Sequence, residues 1–311
     1  MKPDESPDPL RTIAARYSAL WQALSRDGDT PRADDDVRLL VDRVRDALDR
    51  RQARIENRDV TFIANSFLLE QLVHDGSTTQ VHRIRHRDLG SLHAMKTLRS
   101  SEGDNVSARE LLLREARLAT TFNHRNILAP QILLRLPDGR PALISDWMPF
   151  TLSGRLNGDP LSIEDIRDAM AGMVSGLQAI HMAGLVHADI APDNLLLKDR
   201  QLSGLKISDF GIALKRGQRH ADLELARAGH AEFSAPEQVD GDVLDGRADL
   251  YSCGRILELL MARCPVDDGA TRQLSALARD LTAQDPGNRP QTAAAVSERL
   301  RDMDRSDPPS I

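Results

Sequence analysis

The sequence predicts an α+β fold in two lobes, a strand-rich half followed by a helix-rich half with a cleft between them. Three observations lead there. From about residue 60 to 146, short apolar runs with strand character alternate with turn residues. After residue 150 the apolar positions recur mainly at helical spacing. The chain has 311 residues, 41% of them hydrophobic, so it holds the core material of one large two-lobed unit or about two smaller ones.

Taken in order, residues 1–9 are polar and proline-bearing and read as mobile. Leu10, Ile13, Ala14, Tyr17, Leu20, Trp21 and Leu24 predict a helix over 10–24, and 25–33 read as a loop. A second helix is expected over 34–55, with the stripe Val37, Leu40, Val41, Val44 and Leu48. Its acidic start and Arg-rich end suit the helix dipole. Strands follow near 66–73, 79–87 and 91–98, then a helix near 107–122 with Ser107 as its N-cap. Two strands near 130–136 and 141–146 flank the turn Pro137-Asp138-Gly139. Helices are expected near 162–183, 243–263, 270–283 and 291–303, and the terminal RSDPPSI reads as disordered. The organisation that results is a helical extension over 1–60, a first lobe over 61–149, a second over 150–304 and a tail over 305–311.

Net charge is −6, which argues against a nucleic-acid surface. The basic run Arg83-Ile84-Arg85-His86-Arg87 alternates as a solvated strand face does. Two cysteines, Cys253 and Cys264, make no disulfide framework; both sit on an apolar helical stretch and read as packing. No apolar run approaches 18 residues, and MKPDESPDPL does not read as a signal peptide, so a cytoplasmic protein is expected.

The chemistry is concentrated in a few motifs. LVHADIAPDNLLL carries Asp189 and, five residues on, Asn194; Asp209 follows in ISDFG, 20 residues after Asp189. Ala235-Pro236-Glu237, Asp249 in ADLYSCG and Arg289 in Asn288-Arg289-Pro290 come later. Upstream, HAMKTL supplies Lys96 and REARL supplies Glu115, 19 residues beyond it. In this order and at these spacings, residues 64–303 resemble the eukaryotic-like serine/threonine protein kinases of bacterial type. The resemblance does not extend to the first 60 residues.

What the resemblance implies is a bilobal kinase fold and transfer of the ATP γ-phosphoryl group to Ser or Thr hydroxyls of a protein. The metal would be Mg²⁺, with Mn²⁺ as a substitute. Lys96 would contact the α- and β-phosphates and pair with Glu115, while Asp209 and Asn194 would offer the hard oxygens that Mg²⁺ prefers. Asp189 would accept the substrate hydroxyl's proton. Nucleotide contacts are expected from Gly76, Val81, Ala94, Lys96, Ser145, Asp146, Met148, Asn194, Leu196 and Asp209, with Ser145-Asp146-Trp147-Met148 as the hinge. Glu237 and Arg289 resemble a bracing ion pair of the helical lobe. Asp249 resembles the anchor of the catalytic loop, and His187 and Phe210 parts of an internal packing column.

Four departures from the family pattern stand out. The glycine-rich loop keeps only Gly76, with His74 and Thr79 where small residues let backbone amides approach phosphate, which lowers the nucleotide affinity to be expected. Ala188 precedes the catalytic aspartate where many members carry Arg. Residues 209–233 contain no Ser, Thr or Tyr, so a phosphate switch on that segment has neither acceptor nor Arg partner. Ala191 replaces the usual catalytic-loop Lys and His230 the usual Thr that bonds to it. His230, or Arg216 or Arg219, is therefore expected to supply part of the missing charge. Two other readings stay open. One is a pseudokinase or nucleotide-regulated binding module. The other is a small-molecule phosphotransferase, whose members lack the platform that AEFSAPEQ and NRP resemble. The N-terminal helices read as packing or as a surface for a regulatory partner.

Overall fold

The computed structural model describes residues 9–34, 36–37, 40–41, 44, 62–64, 66–223, 229–265 and 269–306. The chain separates into two compact units, one ending at Leu69 and one starting at Glu70. In the first, helix α1 (Pro9–Ser25) is followed by a tight hairpin of Arg26–Asp27 with Thr30–Pro31, turning on Gly28 at φ +62. Gly is suited to that left-handed angle because it has no Cβ to clash. Of the helix expected over 34–55, residues 34, 36, 37, 40, 41 and 44 are helical; 45–55 lie outside the described residues, as do 1–8 and 307–311. Strand β1 (Phe62–Ile63) pairs antiparallel with the first residues of β2 (Phe67–Asp75).

In the second unit the sheet runs β2, β3 (Thr79–His86), β4 (Leu92–Leu98), β6 (Pro141–Asp146), β5 (Ile132–Arg135). β4 is interior, and its register sets Lys96 opposite Val81 on one side and Leu143 on the other. Ile84, Met95, Leu98 and Ile144 are fully buried. Arg83 and Arg85 are not merely solvated. Both donate to Glu70 on β2, at 2.8 and 2.5 Å, because alternate residues of β3 share the face that Glu70 occupies.

Helix α2 (Val106–Ala119) packs Ala108, Leu112 and Ala116 against Leu98 and Leu143. Its N-cap is Asn105 and not the expected Ser107. Asn105 has extended backbone and its side-chain oxygen accepts the Ala108 N–H at 3.0 Å, whereas Ser107 already lies inside the first turn.

The helical part is built on α4 (Ile163–Met182), which starts in a capping box of Ser162 and Asp165. Between β6 and α4 lie a short strand β7 (Phe150–Thr151) and helix α3 (Leu152–Leu156). Strands β8 (Leu185–Val186), β9 (Leu195–Leu197), β10 (Lys206–Ile207) and β11 (Leu214–Lys215) carry the loops of interest. A short helix α5 (Pro236–Val239) precedes α6 (Gly246–Met261), α7 (Gly269–Leu281) and α8 (Ala293–Ser306). Met170, Met173, Leu177, Ile256, Leu257, Leu274, Leu281 and Val296 form one buried cluster. Cys253 is buried on α6, and burial pushes its thiol well above the ordinary range. Cys264 is half-buried and lies beyond the helix, which ends at Met261.

Candidate functional site

Lys96 sits at the centre of a charge cluster because an interior strand holds its backbone while α2 and the 209 loop approach its tip. Its Nζ donates to Glu115 Oε2 and to Asp209 Oδ2, at 2.8 Å each. Burial opposes the Lys96 charge, but the Asp209 and Glu115 carboxylates outweigh it and hold the ammonium protonated. Burial pushes Glu115 up to about 7 despite the neighbouring ammonium. Asp209 is penalised by burial too, yet the charge and hydrogen bond of Lys96, with the Gly211 N–H, keep it below the usual carboxylate range.

Asp209 has φ +64, a left-handed angle that costs a non-glycine residue roughly 1–2 kcal/mol. Its neighbours over-determine that turn. Phe210 is fully buried, stacked 5.5 Å from Phe122 and edge-on at 4.9 Å to His187.

The loop carrying Asp189 is strained in the same way, with Ala188 at φ +61. Asp249, fully buried on α6, accepts the His187 N–H at 2.9 Å, the Ala188 N–H at 2.8 Å and a hydrogen bond from His181 Nε2 at 2.8 Å. Gln238 of α5 donates to the Ala188 carbonyl at 2.7 Å. Asp189 then has both oxygens engaged. Asn194 Nδ2 donates to Oδ2 at 2.8 Å, and the His230 backbone N–H and Nδ1 both reach Oδ1, at 3.1 and 2.8 Å. The hydrogen bond to Asp189 raises the His230 imidazole above its ordinary value, against a smaller effect of burial.

These groups line one cavity of about 560 Å³. The structure brings Val81, Ala94, Lys96, Glu115, Ser145, Asp146, Met148, Asp189, Asn194, Leu196, Asp209 and His230 to its wall. Gly76 is not brought there. Its N–H closes a tight turn on Thr79 O at 2.9 Å and its carbonyl is held by Arg99 at 3.0 Å, so the glycine serves the β2–β3 turn while His74 and Thr79 face the cavity. Arg216 and Arg219 do not line the cavity either; the Arg216 N–H is bonded to Gly184 O.

Arg114 carries no signal in the sequence. One residue before Glu115, and so about 100° around the helix, it donates to Ala213 O at 2.5 Å and ties α2 to the segment after Asp209. The expected brace is present as a bidentate pair, Arg289 to Glu237 at 2.6 and 2.9 Å.

The described residues contain no cluster of three His, Cys, Asp or Glu side chains arranged to hold a metal. The donor set does fit a hard divalent cation that brings its own oxygens. A carboxylate, Asp209, and a carboxamide, Asn194, share the cavity wall, and Mg²⁺ commonly takes one or two protein oxygens with the rest from phosphate and water.

Comparison with known proteins finds the protein kinase domain over residues 67–305. The chain is 32% identical over 229 residues to serine/threonine-protein kinase Pkn1 of Myxococcus xanthus, covering 68% of this chain and 31% of the relative. It is 32% identical over 202 residues to the DNA damage-responsive serine/threonine-protein kinase RqkA of Deinococcus radiodurans, covering 63% and 30%. It is 25% identical over 287 residues to serine/threonine-protein kinase PknB of Mycobacterium tuberculosis, covering 79% and 44%. The chain thus spans about a third of the length of the first two relatives.

Proposed function

This chain belongs to the protein kinase family, whose members use ATP and a divalent metal, and we propose that it transfers the γ-phosphoryl group of ATP to serine or threonine hydroxyls of a protein. The observation that carries this reading is the Lys96 ammonium held at 2.8 Å by both Glu115 and Asp209, in a cavity shared with Asp189 and Asn194. Phosphoryl transfer asks a protein chiefly for positioning and charge neutralisation, and these five side chains supply both.

Lys96 binds the α- and β-phosphates, with Glu115 fixing its direction. Asp209 and Asn194 hold Mg²⁺, for which Mn²⁺ substitutes. When bound, the metal neutralises charge on the phosphates and orients them. Val81, Ala94, Met148 and Leu196 enclose the adenine; the backbone of Asp146 and Met148 reads its edge, and Ser145 stands at the back. Asp189 positions the acceptor hydroxyl. The enzyme works without a phosphate on its activation segment. The extension over 1–60, ahead of lobes over 61–149 and 150–304, is the surface on which a regulatory partner acts. Among the described residues no helix is long and apolar enough to cross a membrane, and we place the protein in the cytoplasm.

The test is transfer of label from γ-labelled ATP with Mg²⁺ to casein or to the chain itself, with Asp189→Ala as the control. Transfer lost in the variant supports the reading. A nucleotide-dependent rise in melting temperature without transfer would replace it with a nucleotide-regulated binding module. Label on a sugar or aminoglycoside but never on protein would replace it with a small-molecule phosphotransferase.

A further inference from the structure

Asp189 and His230 form a dyad whose geometry differs from that of a lone aspartate base. Both Asp189 oxygens are already hydrogen-bonded, Oδ2 to Asn194 and Oδ1 to the N–H and the Nδ1 of His230. An ionised carboxylate only accepts, so Nδ1 carries the proton of that 2.8 Å bond, and in the neutral imidazole Nε2 carries the lone pair. Nε2 has no hydrogen-bond partner among the described residues, and the side chain is 41% exposed on the wall of the cavity that holds Lys96 and Asp209. Carboxylate to Nδ1–H, with Nε2 bonded to no described protein group, is the arrangement by which an aspartate turns an imidazole into a proton acceptor for a hydroxyl.

We propose that His230 is the general base of this enzyme, with its Nε2 taking the proton of the acceptor hydroxyl while Asp189 fixes its tautomer and orientation. As the proton moves to Nε2, the hydroxyl oxygen forms its bond to the γ-phosphorus. The bond from that phosphorus to the β–γ bridging oxygen breaks, and ADP leaves with the electron pair. The imidazolium later returns its proton to water. The proposal also accounts for Ala191. Positive charge appears on His230 as negative charge is redistributed in the transition state, a charge that the apolar side chain of Ala191 does not supply. The groups acting on His230 are carboxylates, Asp189 by hydrogen bond and charge and Asp193 and Asp209 by charge; all three favour the imidazolium that the step creates.

The inference rests on the phosphotransfer reading, and the experiment separates the two. Wild-type chain, His230→Ala and His230→Gln are assayed with γ-labelled ATP, Mg²⁺ and casein, with and without millimolar imidazole. General-base loss typically costs 10²–10⁴-fold. The Ala variant should lose about that in kcat with its KM for ATP unchanged, and regain a large part with imidazole. The Gln variant can still donate to Asp189 but cannot take a proton, and it should stay as slow as the Ala variant. A Gln variant at the wild-type rate, or an Ala variant that imidazole does not rescue, overturns the assignment of the base. Absence of transfer by the wild-type chain, to casein and to itself, overturns the phosphotransfer reading instead.

Discussion

The buried carboxylate of Asp249 sets the shape of the Asp189 loop, and replacing it by asparagine tests how much. Asp249 receives three hydrogen bonds on two oxygens, with His181 and the His187 N–H on Oδ2 and the Ala188 N–H on Oδ1. In Asp249→Asn one oxygen becomes an NH₂ group, so whichever way the amide turns, at least one buried backbone N–H meets another donor. A buried unsatisfied donor costs about 1–3 kcal/mol. The remaining bonds lose their charge assistance, about 1 kcal/mol each on the difference between charged and neutral hydrogen bonds. Together the loss is about 3–5 kcal/mol. For a unit of this size 1 kcal/mol moves the melting temperature by about 2–4 °C, so a fall of roughly 6–20 °C is expected.

Part of that stability is also pH-dependent. Burial alone would raise the Asp249 carboxyl, but the His181 hydrogen bond, the charges of His181 and His187 and the His187 N–H bring it below the usual range. A folded value below the unfolded one stabilises above the unfolded carboxyl's pKa, near pH 4, and is lost as pH falls through the folded value. The gap between wild type and Asp249→Asn should therefore be full at pH 7 and shrink in acid. Urea denaturation of both proteins across that range reads it as a shift in midpoint at constant slope. A difference under about 1 kcal/mol at pH 7 refutes the reasoning, since even one unsatisfied donor costs that much.

Three further perturbations follow from packing and charge. Arg289 has a wholly buried side chain that bonds Glu237 twice and the carbonyls of Ala283, Arg247 and Gln284, with its guanidinium 4.9 Å from the Tyr251 ring centroid. Arg289→Ala should cost about 3–5 kcal/mol in urea denaturation, since it removes a wholly buried side chain and leaves the largely covered Glu237 carboxylate without its partner. A Cβ on Gly254 would stand 2.6 Å from Leu281 Cβ and 2.8 Å from Thr282 Cγ2, so Gly254→Ala should cost about 1–3 kcal/mol by forcing α6 from α7, and a neutral result would show that the helices separate freely. Lys96→Met should lower label transfer by about 10²–10³-fold. The Glu115 carboxyl, already pushed up to about 7, should titrate higher still in ¹³C spectra, because the cation that opposes its burial is gone.

The sequence made legible what depends on local pattern. β6 covers 141–146 as the apolar run after Pro137-Asp138-Gly139 predicts, and the helices after residue 160 match their apolar spacing to within a few residues. The residues that converge on the cavity were legible through motif spacing alone, since Lys96, Asp189 and Asp209 share no local periodicity. What stayed hidden depends on partners distant in sequence. Nothing near Glu70 announces that Arg83 and Arg85 reach it from the next strand, nor does REARL disclose that Arg114 finds a carbonyl 99 residues away. Gly76 misled for a different reason. A glycine in a loop signals backbone freedom, and only the fold shows whether that freedom serves a turn or a ligand.

The segment after Asp209 illustrates how several modest contacts hold what a single strong one holds elsewhere. No residue from 209 to 233 bears a hydroxyl, so no phosphate ester can form there, and Ala188 offers no guanidinium to receive one. Order comes from bonds that need no phosphate. Leu214–Lys215 pairs antiparallel with Leu185–Val186, directly ahead of the Asp189 loop. Arg114 fixes Ala213 to α2, the Gly217 N–H is bonded to Leu244 O, and Gln238 fixes Ala188 from the far side. Each neutral bond contributes only about 0.5–1.5 kcal/mol net, and the Arg114 bond about 1.5–3 kcal/mol. Together they span both strained residues, Ala188 and Asp209, whose left-handed angles cost a comparable amount. Because none of these bonds requires a modification to form, the loop geometry that holds Asp189 against His230 is built into the chain itself.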